Sequence, residues 1–118
     1  MNNNVYVTFA GLPPDQLPTD LGKRFYTDYK AKYKDEPIGW AMYAYQSALV
    51  ALDAVKRAGK KDRAAILEAV RQTKDFEGVT GKFSFDENGD TNRTDMVGWA
   101  VKDGKFIYAE SISAAMQC

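Results

Sequence analysis

Apolar positions recur along this 118-residue chain with two periods, and the changes of period mark its elements. Val5 to Phe9 is a β-branched and aromatic run stopped by Gly11-Leu12-Pro13-Pro14, which predicts a short buried strand entering a rigid connector. Beyond Pro18, Leu21, Phe25, Tyr29 and Tyr33 recur at i, i+4 spacing among Lys and Asp. That spacing predicts an amphipathic helix capped by Thr19 and ending near Asp35-Glu36-Pro37. A second helix is predicted from Ile38 or Trp40 to Ala58, closed by Gly59. Ala41, Ala44, Ser47, Ala48 and Ala51 make it narrow, and Leu49, Leu52 and Val55 widen its apolar face, so it is expected to be the most buried helix. Asp62 caps a third, Arg63 to Thr73, with Ala65, Ile66, Ala69 and Val70 in one stripe.

The period then changes from helical to strand-like. In Phe76 to Asp90, Gly78 and Gly81 are placed to take positive φ, Lys82 to Phe85 alternates as a half-buried strand, and Asp86-Glu87-Asn88-Gly89-Asp90 has turn chemistry. Two further strands, Met96 to Lys102 and Lys105 to Ala109, flank Asp103-Gly104, a strong hairpin signal. The tail from Ser111 to Cys118 is expected to be loosely held. Three helices with one-sided apolar faces need a sheet or one another to cover them, and these few short strands form no βαβ series. The pattern therefore predicts a covering layer without its platform.

Composition narrows the function classes. With 45% hydrophobic and 27% charged residues the chain reads as a globular domain, and Lys+Arg balances Asp+Glu at 16 each, against the excess of positive charge expected of a nucleic-acid binder. Lys56, Arg57, Lys60, Lys61 and Arg63 do cluster, but at a helix junction where cations are favoured and solvated. No apolar run reaches membrane-spanning length. The N-terminal MNNNVYVTF has neither a basic n-region nor an h-region, so the chain as written is expected to lack a signal peptide and stay in the cytoplasm. With no histidine, and with one cysteine at the last position, neither a metal site nor a cofactor is expected.

Candidate chemistry is sparse. Asp86, Asn88 and Asp90 alternate like calcium-loop ligands, but Thr91 and Val97 stand where that loop needs Gly and Glu. Gly81-Lys82 lacks the rest of a phosphate-binding loop, and Asn92-Arg93-Thr94 is a glycosylation triplet of a common kind. No carboxylate lies in an apolar setting that would raise its pKa, and the commonest general base is missing, so no enzyme active site is expected. Tyr26, Tyr29, Tyr33, Trp40, Tyr43 and Tyr45 at helical spacing read as core or rim residues. Trp40 stands apart because it follows a Pro and a Gly at a helix start, where ligands meet backbone donors.

In order, VYVTFAGLPPDQLP, FYTDYKAKYKDEPIGWAMYAYQSALVALDAVKRAG, FEGVTGKFSFDENGD and VKDGKFIY resemble the C-terminal third of periplasmic solute-binding proteins of the leucine/isoleucine/valine type. The resemblance implies an α/β, type I periplasmic-binding-protein fold, in which two lobes joined by three crossings close on a small ligand for an ABC permease. It implies lobe-one helices and strand over 15–90, lobe-two strands at 1–10 and 96–110, and hinge crossings at 11–14 and 91–95. Pro37, Ile38, Gly39 and Trp40 match a loop that reaches the cleft and offers apolar contact to the ligand. Gly11, Leu12, Pro13, Pro14, Thr94 and Asp95 match hinge positions. The partners implied are an amino acid or analogue and an ABC permease, with the intact parent periplasmic. The chain alone is expected to dimerise or swap elements through open helix faces. Two other readings stay open: a ligand-sensing regulatory domain of the same fold, and an interaction module with no ligand.

Overall fold

In the computed structural model, which describes residues 5–112, strand β1 (Tyr6–Ala10) leads through a 3-10 turn at Pro14–Gln16 into helices α1 (Asp20–Tyr33), α2 (Gly39–Ala58) and α3 (Arg63–Arg71). Strands β2 (Phe76–Gly78), β3 (Gly81–Phe83), β4 (Met96–Lys102) and β5 (Lys105–Ser111) follow. The expected loose tail lies, beyond Ile112, outside the described residues, as does Cys118. Two compact units divide the chain: Pro14–Asn92, and the described residues on either side of it.

Within Pro14–Asn92 the helices are organised by a small polar lock. Thr19 is the N-cap of α1, its Oγ1 accepting the Gly22 N–H at 2.9 Å and reaching the carbonyls of Gly78 and Val79 at 3.1 and 3.0 Å. From α2, Gln46 Oε1 accepts both the backbone N–H and the hydroxyl of Thr80 at 3.1 and 3.0 Å. The tight β2–β3 hairpin is thereby tied to two helices at once. Val79, Thr80 and Phe83 are buried there, with Met42, Val50 and Ala54 of α2 and Phe25 of α1 also buried in this unit. Full burial of a side chain such as Met42 or Val79 stabilises by roughly 1.5–3 kcal/mol.

Two glycines hold the lock open. A Cβ on Gly22 would lie 2.4 Å from the Val79 carbonyl oxygen, and one on Gly78 would lie 2.3 Å from Gln46 Oε1. Gly78 was expected to serve through positive φ, but only Gly81 of the pair takes it, at 125°; Gly78 serves by leaving room. The segment Phe76–Gly78, expected only as backbone punctuation, is a strand paired antiparallel with β3, with Gly78 opposite Gly81. A second tie is made by Arg57 of α2, whose Nη2 donates to the hydroxyl of buried Thr73 at 2.9 Å while its Nε meets Asp53 at 2.7 Å.

α2, expected to be the most buried helix, has more buried residues than α1 or α3, but much of the face read as apolar stays open. Met42, Val50 and Ala54 are its buried residues, while Ala44, Ser47, Ala48, Ala51, Leu52 and Val55 are exposed, Leu52 at 67%. The cause is coverage. α2 packs on α3 and touches β2, and its Tyr45 ring lies 5.0 Å from Phe25 of α1, so its other side has no layer of its own unit upon it.

The second unit is a single-layer antiparallel sheet of order β1-β4-β5. β1 pairs with β4 from Tyr6 opposite Ala100 to Ala10 opposite Met96, and β4 continues into β5 through Asp103-Gly104, both at positive φ (52° and 75°), as a primed hairpin turn requires. Only Val97 among the β4 residues is fully buried. The expectation that the first strand is buried also fails: Tyr6 is 73% exposed, because the described part of this unit has one layer and no helix to cover it.

Candidate functional site

The loop from Lys34 to Trp40 is shaped by how α1 ends. Lys34 takes the left-handed conformation (φ 59°) and donates its N–H to the Lys30 carbonyl at 3.0 Å, closing the helix without a glycine. Asp35 Oδ1 accepts the Glu36 N–H at 2.8 Å. Pro37 is buried and bars further helix, and Ile38 in extended backbone starts α2 with no side-chain cap bond. The structure thus brings Pro37, Ile38, Gly39 and Trp40 into one tight connection. Ile38 and Trp40 are both about two-thirds exposed, at 68% and 65%. Trp40 heads the open, uncharged face of α2 that runs through Ala44, Ala48 and Ala51 to Val55, and its ring lies 6.2 Å from that of Tyr43.

Glu36 is held from α1. Tyr26 Oη donates to Glu36 Oε2, and Lys30 Nζ lies 2.5 Å from Glu36 Oε1 and 3.4 Å from Tyr26 Oη. The lysine ammonium bonded to Glu36, with the tyrosine hydroxyl second, holds its carboxyl below the ordinary 4.5. The same contact with Glu36 pushes Lys30 above 10.5, and its bond to Glu36 pushes Tyr26 above 10.0. Sequence reasoning missed this cluster, although Tyr26 and Lys30 stand one helical turn apart on the polar side of α1.

An open groove of about 390 Å³ lies elsewhere on this unit, between α1 and α2, lined by Phe25, Tyr29, Tyr33 and Tyr45 with Asp28 and Lys32. It holds Tyr29, Tyr33 and Tyr45 of the tyrosines read from sequence as core or rim residues, and it does not include Tyr26, Tyr43 or Pro37 to Trp40. In the acidic turn, Asp86 Oδ1 accepts the N–H groups of Asn88 and Asp90, both at 2.9 Å. Among the described residues no three His, Cys, Asp or Glu side chains group to hold a metal ion, and no helix is long and apolar enough to cross a membrane.

Of the expected hinge residues, Gly11 is buried at φ 129° and donates its N–H to the Asp95 carbonyl at 2.9 Å, so the backbones of the two stretches meet. Arg93 pairs with Asp95 at 2.5 Å. Pro13 is buried, Leu12 and Pro14 are half-buried, and Thr94 is exposed.

One unit is thus a helical layer with a small hairpin and an exposed aromatic at a helix start, and the other a small antiparallel sheet. Comparison with known proteins identifies the family. The periplasmic binding protein family model matches residues 2–105. A Leu/Ile/Val-binding protein homolog 7 from Brucella abortus is 31% identical over 98 residues, covering 80% of this chain and 25% of the relative. The crystal structure of the leucine binding protein LivK of Thermotoga maritima superposes with TM-score 0.78 at 34% identity, over 91% of this chain and 30% of that one. The branched-chain amino acid transporter substrate binding protein LivJ of Streptococcus pneumoniae, solved with isoleucine, gives 0.77 at 33%, over 92% and 30%. The chain belongs to the periplasmic binding protein family, with the type I fold, and is similar to its branched-chain amino acid solute-binding members. It spans about a quarter of the length of the curated relatives it matches.

Proposed function

We propose that this chain supplies one wall of the ligand cleft, and part of the hinge, of an extracytoplasmic solute-binding protein that captures an amino acid or similar small polar metabolite for an ABC importer. The observation that carries this reading is the exposure of Ile38 and Trp40 at the head of the uncharged face of α2. A helix apolar on two sides is built to lie between two layers, and Ala, Ser and Ala on the open side suit close approach to a sheet. Trp40 begins α2 directly after the Pro37 to Gly39 loop, which resembles the family's cleft loop, so with the rest of the lobe in place Trp40 stands at the cleft edge. It has no charge with which to hold an α-amino or α-carboxylate group, so its contribution is apolar contact with the ligand's side chain.

The relatives' solute-binding character supports delivery to an ABC permease in the periplasm as the role of the intact protein. The hinge role rests on Gly11, whose positive φ and bond to Asp95 join the two crossings near Leu12, Pro13, Pro14 and Thr94. The test is a calorimetric titration with L-leucine, L-isoleucine and benzoate of this chain grafted in place of the matching 30% of the Thermotoga maritima protein. Trp40→Ala is expected to weaken the preferred ligand by about tenfold or more, the loss of roughly 1.5–3 kcal/mol of aromatic burial. Affinity unchanged by that substitution sinks the cleft reading.

A second reading concerns the chain by itself. The open face of α2, with Leu52 at 67% and Val55 at 48% exposure, favours pairing of two copies as a homodimer or swapped oligomer. Light scattering at micromolar concentration decides it: a monomer removes the idea.

A further inference from the structure

We propose that Tyr26, Lys30 and Glu36 form a clamp that positions the cleft loop, so that the outer polar side of α1 sets where Ile38 and Trp40 stand. The inference rests on the cleft reading above for its functional meaning, but its geometry is independent of any ligand. Glu36 immediately precedes Pro37, and each of its carboxylate oxygens is taken by a different α1 side chain, Oε2 by the Tyr26 hydroxyl and Oε1 by the Lys30 ammonium at 2.5 Å. Lys30 also lies 4.9 Å from the centre of the Tyr26 ring, so the two α1 groups brace one another.

The rest of the connection has little freedom of its own. The backbone turns at Lys34, Asp35 Oδ1 takes the Glu36 N–H, and the proline ring fixes φ at the next residue. A carboxylate fixed at two points just before a proline therefore passes its position on to Ile38, whose carbonyl accepts the Ala41 N–H at 2.9 Å and so starts α2. Tyr26, Lys30 and Glu36 are positioning residues: they touch the loop, and the loop carries the groups offered to a ligand.

The test uses the chain as it exists, without ligand. In a Trp99→Phe background, which leaves Trp40 as the sole tryptophan, acrylamide quenching of Trp40 and hydrogen exchange of the Ala41 amide are compared for the parent chain, Glu36→Gln, Lys30→Met and Lys30→Arg. Exposed charged contacts of this kind are weak, so the expected effect of Glu36→Gln or Lys30→Met is about a two- to fivefold faster Ala41 exchange. Easier quenching of Trp40 should accompany it, with the melting temperature unmoved and with rescue by Lys30→Arg. Unchanged Ala41 exchange, or acceleration spread evenly over α1 and α2, overturns the clamp. Its failure is distinct from that of the cleft reading, which is decided by Trp40→Ala in the ligand titration.

Discussion

At the scale of single residues, the positions that matter most to the fold are those with least side chain. Gly22 sits inside α1, where alanine would ordinarily be the better helix former by about 1 kcal/mol. Its Cβ would meet the backbone oxygen of Val79, which cannot step aside as a flexible side chain can. Gly22→Ala is therefore expected to destabilise by about 1–3 kcal/mol, the usual range for overpacking, as read by urea unfolding. Stability equal to or above that of the parent chain contradicts the lock. Glu36 makes the residue-scale prediction in pH. Its lowered pKa means that its contribution is present above the ordinary 4.5 and is lost as pH falls through the lowered value. Lys30 and Tyr26 have raised values, so theirs are present below 10.5 and 10.0 and are lost as pH rises through the raised ones. Trp40 quenching should then be flat between those limits, with an acid-side step that Glu36→Gln removes; a step that survives the substitution counts against Glu36 as its source.

At the scale of elements, caps and periodicity were legible in the residues. Thr19, Asp62 and Gly59 end their helices as their chemistry predicts, and Asp103-Gly104 makes its turn. Thr19→Ala should cost more than Asp62→Ala, because Asp62 only accepts the Ala65 N–H, whereas Thr19 also reaches the Gly78 and Val79 carbonyls. Against about 1 kcal/mol for a lost cap, Thr19→Ala should reach about 2–4 kcal/mol with the partly buried carbonyls left unmet, measured by the same unfolding series; equal losses would mean that the hairpin is not tied to α1 through this hydroxyl. What the residues did not disclose was which side of α2 is covered. Ala44, Ala48 and Ala51 look like a buried face from the sequence, because small residues record the neighbour for which a helix was shaped and not whether that neighbour is present. β2 was hidden for a related reason, since Phe76-Glu77-Gly78 is too short for a period and its strand identity comes from pairing with β3. At the candidate site, Ile38 and Trp40 were legible as an apolar pair at a helix start, while the hold on Glu36 depends on a ten-residue separation along the chain that no local pattern contains.

At the scale of the molecule, two units with open apolar surface are joined by stretches in which Gly11 and Asp95 share a hydrogen bond, and 30% of a solved relative's length is matched. A cleft reading for such a chain requires that recognition of the ligand's charged groups come from residues outside it. The most direct test follows Trp40 emission in the Trp99→Phe background during titration with L-leucine, in parallel on this chain alone and on the chain grafted into the Thermotoga maritima leucine-binding protein. A saturable change in the graft and none in the chain alone is the predicted result. A saturable change in the isolated chain, or a silent Trp40 in a graft that binds leucine by calorimetry, would contradict it.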